Sequence, residues 1–178
     1  MGNKISNKMS KGSTWMQNCG NLLTIHEYLG DNRFKVKFDN SPLFVTHRKS
    51  IKGGYVTNKN TKSVRGVGYL GYGVFNSVRD KRVHYIWLSM LNRCYNTKDT
   101  SYANYGGRGV SVSKEWLCFQ NFTRWYYLQE KSYDTSITRF EVDKDLKGGN
   151  EYSESSCVLL PYKLNMLLTN IRIKEKVG

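Results

Sequence analysis

The stretch Val142-Asp143-Lys144-Asp145-Leu146-Lys147-Gly148-Gly149-Asn150-Glu151-Tyr152-Ser153-Glu154-Ser155-Ser156-Cys157-Val158-Leu159-Leu160-Pro161, continued to Leu164-Asn165, decides the fold. Asp143-Lys144 belongs to a first short strand, and Gly148-Gly149-Asn150 supplies the loop that ends it. Cys157 to Leu160 is a second, apolar strand. Pro161 has a fixed φ and no N–H to lose, so it suits the opening of a helix, and that helix carries Asn165. The unit is two strands and a helix. Thirteen positions separate Asp143 from Ser156, and nine more lead to Asn165.

Outward from this unit, the upstream half reads as helical. Ile86, Trp87, Met90, Leu91 and Cys94 fall at i, i+1, i+4, i+5 and i+8, a single broad apolar stripe with Arg93 beside it. Tyr105-Gly106-Gly107-Arg108-Gly109 follows, where glycine lets backbone approach closely. Val110 and Val112 predict a short strand. Ser113 is placed to cap a helix over 114–129, with Trp116, Phe119, Phe122 and Tyr126 at helical spacing. These aromatics suit a core better than a platform for stacking bases.

The first third is different. Phe34, Val36 and Phe38 alternate with Lys35 and Lys37, the period of a half-buried strand. Leu22 to Ile25 and Leu43 to Thr46 are further strands, Gly30-Asp31-Asn32 is a turn, and Gly53-Gly54 breaks before a last candidate at Tyr55-Val56. Four or five short strands point to a small SH3-like barrel or curled sheet. The lysines either track phosphates or simply solvate the outer face. The fold class expected is α+β: a basic arm at 1–13, a β-rich unit at 14–58, a glycine-rich linker at 59–82 and an α+β domain at 83–178. Within the linker, Gly66, Gly68, Gly71 and Gly73 lack the Gly-Lys-Ser/Thr of a phosphate-cradling P-loop, which favours a tight chain crossing.

Charge bounds the partner. The chain of 178 residues has 28 basic and 14 acidic side chains, a net +14, and residues 1–66 alone hold 12 basic against 3 acidic. A polyanion, with nucleic acid the commonest, is the leading explanation; solubility alone is the bland one. No apolar run is long enough for a membrane span, and the polar first eleven residues do not read as a secretory signal. Cys19, Cys94, Cys118 and Cys157 form no C-x-x-C pair, so they read as reduced, buried hydrophobes of a soluble cytoplasmic protein.

The ordered series Trp87-x-x-Met90-x-x-Arg93-Cys94-Tyr95, Tyr105-Gly106-Gly107-Arg108-Gly109-Val110, Trp116-x-x-Phe119-x-x-Phe122, Asp143-Lys144-Asp145, Gly149-Asn150, Tyr152 to Cys157 and Leu164-Asn165 resembles phage-encoded HNH endonuclease-like proteins, some linked to the Apetala-type DNA-binding domain. The resemblance covers roughly residues 66–170. It implies a ββα-metal module, DNA as partner, a phage source and the cytoplasm of an infected bacterium as location. It places Asp143, Lys144, Ser156 and Asn165 at the catalytic positions, with Asp143 and Asn165 as metal ligands for Mg²⁺ or Mn²⁺.

Two of those positions depart from the family. Lys144 stands where the general-base His belongs, and Ser156 where the Asn that orients it belongs. A lysine has an ordinary pKa of about 10.4 and is protonated at neutrality, while a general base must be free. Asp143 and Asp145 beside it favour the charged form further. Two oxygen ligands also make a poor Mg²⁺ site unless phosphate completes it. Lys144 facing the groove would instead pair with phosphate. The frame survives these losses if Val142, Leu146, Val158, Leu159, Leu164 and Leu168 still pack it. The expectation is therefore a non-catalytic nucleic-acid-binding protein with no cofactor, directed at DNA, RNA or a host nucleoprotein machine. Arg93, Arg108, Lys114, Lys144, Lys147, Lys35 and Lys37 are the candidate phosphate contacts, although Arg108 could equally bond nearby carbonyls. The alternatives are a metal-dependent HNH-like endonuclease with an altered base, and a basic protein that inhibits a host factor.

Overall fold

The computed structural model describes residues 9–137 and 139–177, with side chains as far as Ile171. It is a mixed α+β chain that divides into two compact units between Thr61 and Lys62. Residues 1–8 of the expected basic arm lie outside the described residues. The rest of that arm is tied down, since Gly12 N–H donates to Ile25 O and Ile25 N–H to Ser13 O.

The first unit is an antiparallel meander of β1 (Thr14–Met16), β2 (Leu22–Gly30), β3 (Arg33–Phe38) and β4 (Phe44–His47), in that spatial order. The alternation at 34–38 sets its register: Phe34, Val36 and Phe38 are buried and Lys35 and Lys37 lie half-exposed on the other face. Asp31 and Asn32 take positive φ in the β2–β3 turn, which short polar side chains tolerate. Leu23, Ile25 and Ile51 complete the core, Ile51 from the short helix α1 (Arg48–Lys52). The last strand expected, at Tyr55-Val56, does not form, and the sheet takes its fourth strand from Thr14–Met16 instead. Val56 N–H is instead satisfied by the side-chain Oε1 of buried Gln17, whose Nε2 donates to Ile51 O.

The second unit begins with the segment read as a linker. That segment is packed into the unit. Val64, Val67, Leu70 and Phe75 lie against its core, and Tyr69 exchanges backbone hydrogen bonds with Leu117 and Phe119. Gly68 explains its own identity: a Cβ there would lie 2.5 Å from Leu91 Cδ1. Helix α2 (Lys81–Tyr95) then buries Val83, Trp87, Met90, Leu91 and Cys94, so the apolar stripe is its core face. Trp87 also donates through Nε1 to Trp116 O at 2.8 Å.

Strand β5 (Ser111–Val112) precedes helix α3 (Phe119–Glu130), which starts five residues later than the Ser113 signal implied. Ser113 caps a turn instead, accepting the N–H of Trp116 through its carbonyl and hydroxyl oxygens. Trp116, Phe119, Phe122 and Tyr126 are all core, as their spacing indicated. Strand β6 (Phe140–Asp143) pairs antiparallel with β8 (Val158–Pro161), with Asp143 opposite Val158. Between them β7 (Glu151–Tyr152) leaves to pair in parallel with β5. Helix α4 (Tyr162–Val177) follows β8 directly, so Pro161 ends the strand and the helix opens at Tyr162. Leu159 is fully buried, but Leu146 and Leu164 are exposed and do not pack the frame. Among the described residues no helix is long and apolar enough to cross a membrane.

Candidate nucleic-acid interface

Strand β6 and helices α2 and α4 line a recess of about 310 Å³. β6 contributes Glu141, Val142 and Asp143, and the turn after it Lys144 and Asp145. Asn165 and Thr169 come from α4, Arg93 from α2, and Tyr105 and Tyr152 complete the lining. Three of the four residues that the resemblance placed at catalytic positions thus meet: Asp143, Lys144 and Asn165. They are joined by Arg93, some fifty residues upstream.

Ser156 does not line the recess. Its hydroxyl donates to Glu151 O at 2.5 Å and bonds Ser153 Oγ at 2.8 Å, so its work is to close the 151–156 turn. Asp143 is buried, and its Oδ1 accepts the backbone N–H groups of Asp145 (2.9 Å) and Leu146 (2.7 Å). That carboxylate holds the turn which presents Lys144. Lys144 is itself buried, its Nζ 2.5 Å from Asp145 Oδ1 and 5.6 Å from the centre of the Tyr105 ring. Asn165 Oδ1 is buried with no hydrogen-bond partner.

Aromatic rings organise the cations. The Arg93 guanidinium lies 5.0 Å from the same Tyr105 ring, and Tyr105 stacks on Tyr152 at 6.4 Å with 19° between planes. Arg93 also donates to Tyr152 Oη (3.3 Å) and Ser89 Oγ (3.0 Å). Burial works against its charge, and the phenolic oxygens of Tyr152 and Tyr105 more than offset it, raising the Arg93 pKa. Burial likewise pushes the Cys94 thiol up to about 11, against the lowering effect of Arg93 and Lys144. Close packing next to Tyr105 needs glycine, since a Cβ on Gly106 would lie 2.1 Å from Cys94 O. Tyr105 and Tyr152 were not singled out as functional from sequence. The signal was there, since both sit beside residues that were: Tyr105 before the Gly-Gly-Arg run, Tyr152 in the Ser156 turn.

The other candidate phosphate contacts lie outside the recess. Arg108 and Lys114 are exposed and Lys35 and Lys37 half-exposed, and none of the four has a side-chain partner among the described residues. Arg108 sits in a 3-10 turn, Gly106–Arg108, closed by Gly109 at φ +82. Among the described residues its guanidinium bonds no carbonyl. Lys147 is partly engaged, donating to Ser155 O at 3.1 Å. No histidine lines the recess. His84 stacks edge-on against Phe119 (5.0 Å) and beside Trp87 (5.8 Å), and burial lowers its pKa.

The donor set is a poor match to a divalent metal. Mg²⁺ or Mn²⁺ needs about six oxygen ligands in regular geometry. Here one Asp143 oxygen is occupied by two N–H donors and an ammonium shares the space. Among the described residues no three His, Cys, Asp or Glu side chains are grouped to hold a metal ion. No family model matches the sequence, and no curated protein or solved structure matches it significantly.

Proposed function

We propose that this chain is a phage-type nucleic-acid-binding protein, with an SH3-like first unit and a degenerate HNH module in the second, that grips its ligand without cutting it. The observation that carries the reading is the state of Lys144. At the position where the resemblance calls for a neutral base, an ammonium sits buried and ion-paired to Asp145 at 2.5 Å. Such a group cannot accept a proton from water. Ser156, spent on its own turn, does not orient it.

The grip comes from cations that face solvent. Among the described residues, Arg108 and Lys114 on the second unit and Lys35 and Lys37 on the first have no competing partner, so phosphate there displaces water and counterions. DNA is the ligand we favour, with RNA or a nucleoprotein assembly of the host as its extension. The site of action would be the cytoplasm of an infected bacterium.

The nuclease reading keeps one observation in its favour: Asp143 and Asn165 share the recess, and Asn165 Oδ1 lacks a partner. A plasmid-nicking assay in Mg²⁺, Mn²⁺ and EDTA, run beside a gel-shift assay, separates the two. Retarded DNA that stays intact in every buffer is the expected result. Nicking that depends on metal and vanishes in Asp143→Ala, with folding intact, would replace this reading by the nuclease one.

A further inference from the structure

The recess has its own charge balance, and it differs from that of the surface. Two cations, Arg93 and Lys144, face three carboxylates, Glu141, Asp143 and Asp145, across a space that also holds the unpartnered Asn165 Oδ1. Glu141 is paired with Arg139 and Asp145 is exposed, so the buried anion of the set is Asp143, and it needs a positive charge nearby because an uncompensated anion out of water is costly. A metal-bound module would take that charge from a dication. We infer that Lys144 takes the dication's place: its ammonium is a tethered internal cation that makes the recess metal-free and its fold metal-independent.

Three features of the geometry support this. The Lys144 side chain keeps only 10% of its exposure while Asp145 keeps 53%, so the lysine is the member of the pair that the fold draws inward. The turn that delivers Lys144 is fixed by Asp143, whose Oδ1 holds the N–H groups of Asp145 and Leu146. A residue of the expected metal frame therefore positions the lysine. The Tyr105 ring lies 5.6 Å from Nζ and accepts part of the charge on a face where a hydrated dication would have no ligand. An ammonium and a dication in one small recess would repel strongly. One excludes the other.

The consequence for Lys144 is a role different from direct phosphate pairing, and it rests on the ββα frame rather than on the identity of the ligand. The test is a Mn²⁺ titration of the full chain, read by the electron paramagnetic resonance signal of free Mn²⁺ and by thermal unfolding. The unmodified protein should leave Mn²⁺ free, and its Tm should be the same in EDTA and in Mn²⁺. Lys144→Met should melt lower in EDTA, bind about one Mn²⁺ at least tenfold more tightly than the unmodified chain, and regain Tm when it does. Adding Asp143→Asn to that variant should abolish the regained metal binding. Stoichiometric, Asp143-dependent Mn²⁺ binding by the unmodified chain would overturn the inference. So would a Lys144→Met chain that fails to respond to Mn²⁺, whether it folds in EDTA or not. Binding of oligonucleotide is decided by a separate measurement, so loss of one claim leaves the other standing.

Discussion

The two units solve the same burial problem by opposite routes. The first builds its core from neighbours in sequence: β1 to β4 pair in chain order, and one alternating run, Phe34 to Phe38, sets which face is buried. The second builds its core from pieces far apart. Trp87 of α2 bonds Trp116 O, β5 pairs with β7 some forty residues on, and Arg93 meets Tyr152 across 59 positions. Local pairing gives a sheet whose two faces are set by a period of two. Long-range assembly brings Arg93, Tyr105, Asp143 and Asn165 from four parts of the chain to one recess.

The largest effect should come from breaking the long-range core. Trp87→Ala removes a fully buried ring and its hydrogen bond, and should cost about 3–5 kcal/mol in the second unit. Calorimetry should then show the transition of residues 62–178 collapse while that of the β-sheet unit persists. Simultaneous loss of both transitions would show that the units are not separate folding bodies.

A smaller effect sharpens the status of the glycine-rich segment. Gly68→Val puts carbon where Leu91 and Trp87 already lie and should cost roughly 1–3 kcal/mol through overpacking. Gly12→Ser meets no neighbouring atom within 4 Å, so its cost is confined to its positive φ of 83°. A Gly68→Val protein with unchanged denaturant midpoint would restore the reading of 59–82 as a linker.

The smallest of the stability effects is a pH dependence confined to the second unit. Burial lowers the His84 pKa below its ordinary 6.5, so the unfolded chain takes up the proton more readily than the folded one. The stabilisation is complete above about pH 6.5 and declines as pH falls below it toward the folded value. His84→Phe should flatten the urea midpoint of the second unit between pH 7 and 5, while the first unit's midpoint is indifferent to the change. An unaltered slope in His84→Phe would assign the dependence to another group.

Sequence showed the two regions unequally, for the same physical reason. Strands of the first unit were legible because a period of two reports directly on burial, as at Val36 and Lys37. The apolar stripe of α2 was equally plain. What stayed hidden depended on distant partners. Nothing near Tyr55-Val56 says that Gln17 will satisfy Val56 N–H, and nothing in Gly66 to Gly73 names Leu91 or Cys118 as the neighbours that forbid a side chain. In the recess, the meeting of Asp143, Lys144 and Asn165 followed from the expected strand, strand and helix. The Tyr105 ring between Arg93 and Lys144 did not, because it arrives from a turn whose glycines carry no directional pattern. Ser156 was placed at a catalytic position by the resemblance, and its hydroxyl serves its own loop instead.

A polyanion grip by Lys35, Lys37, Arg108 and Lys114 is tested most directly by the salt dependence of binding. A fluorescently labelled duplex is titrated with the full chain across a range of KCl concentrations, in EDTA. Log K should fall linearly with log salt, and the variant lacking Lys35, Lys37, Arg108 and Lys114 should show a slope shallower by roughly one counterion per side chain removed. Undiminished affinity and an unchanged slope in that variant, or no binding by the unmodified chain at low salt, would contradict it.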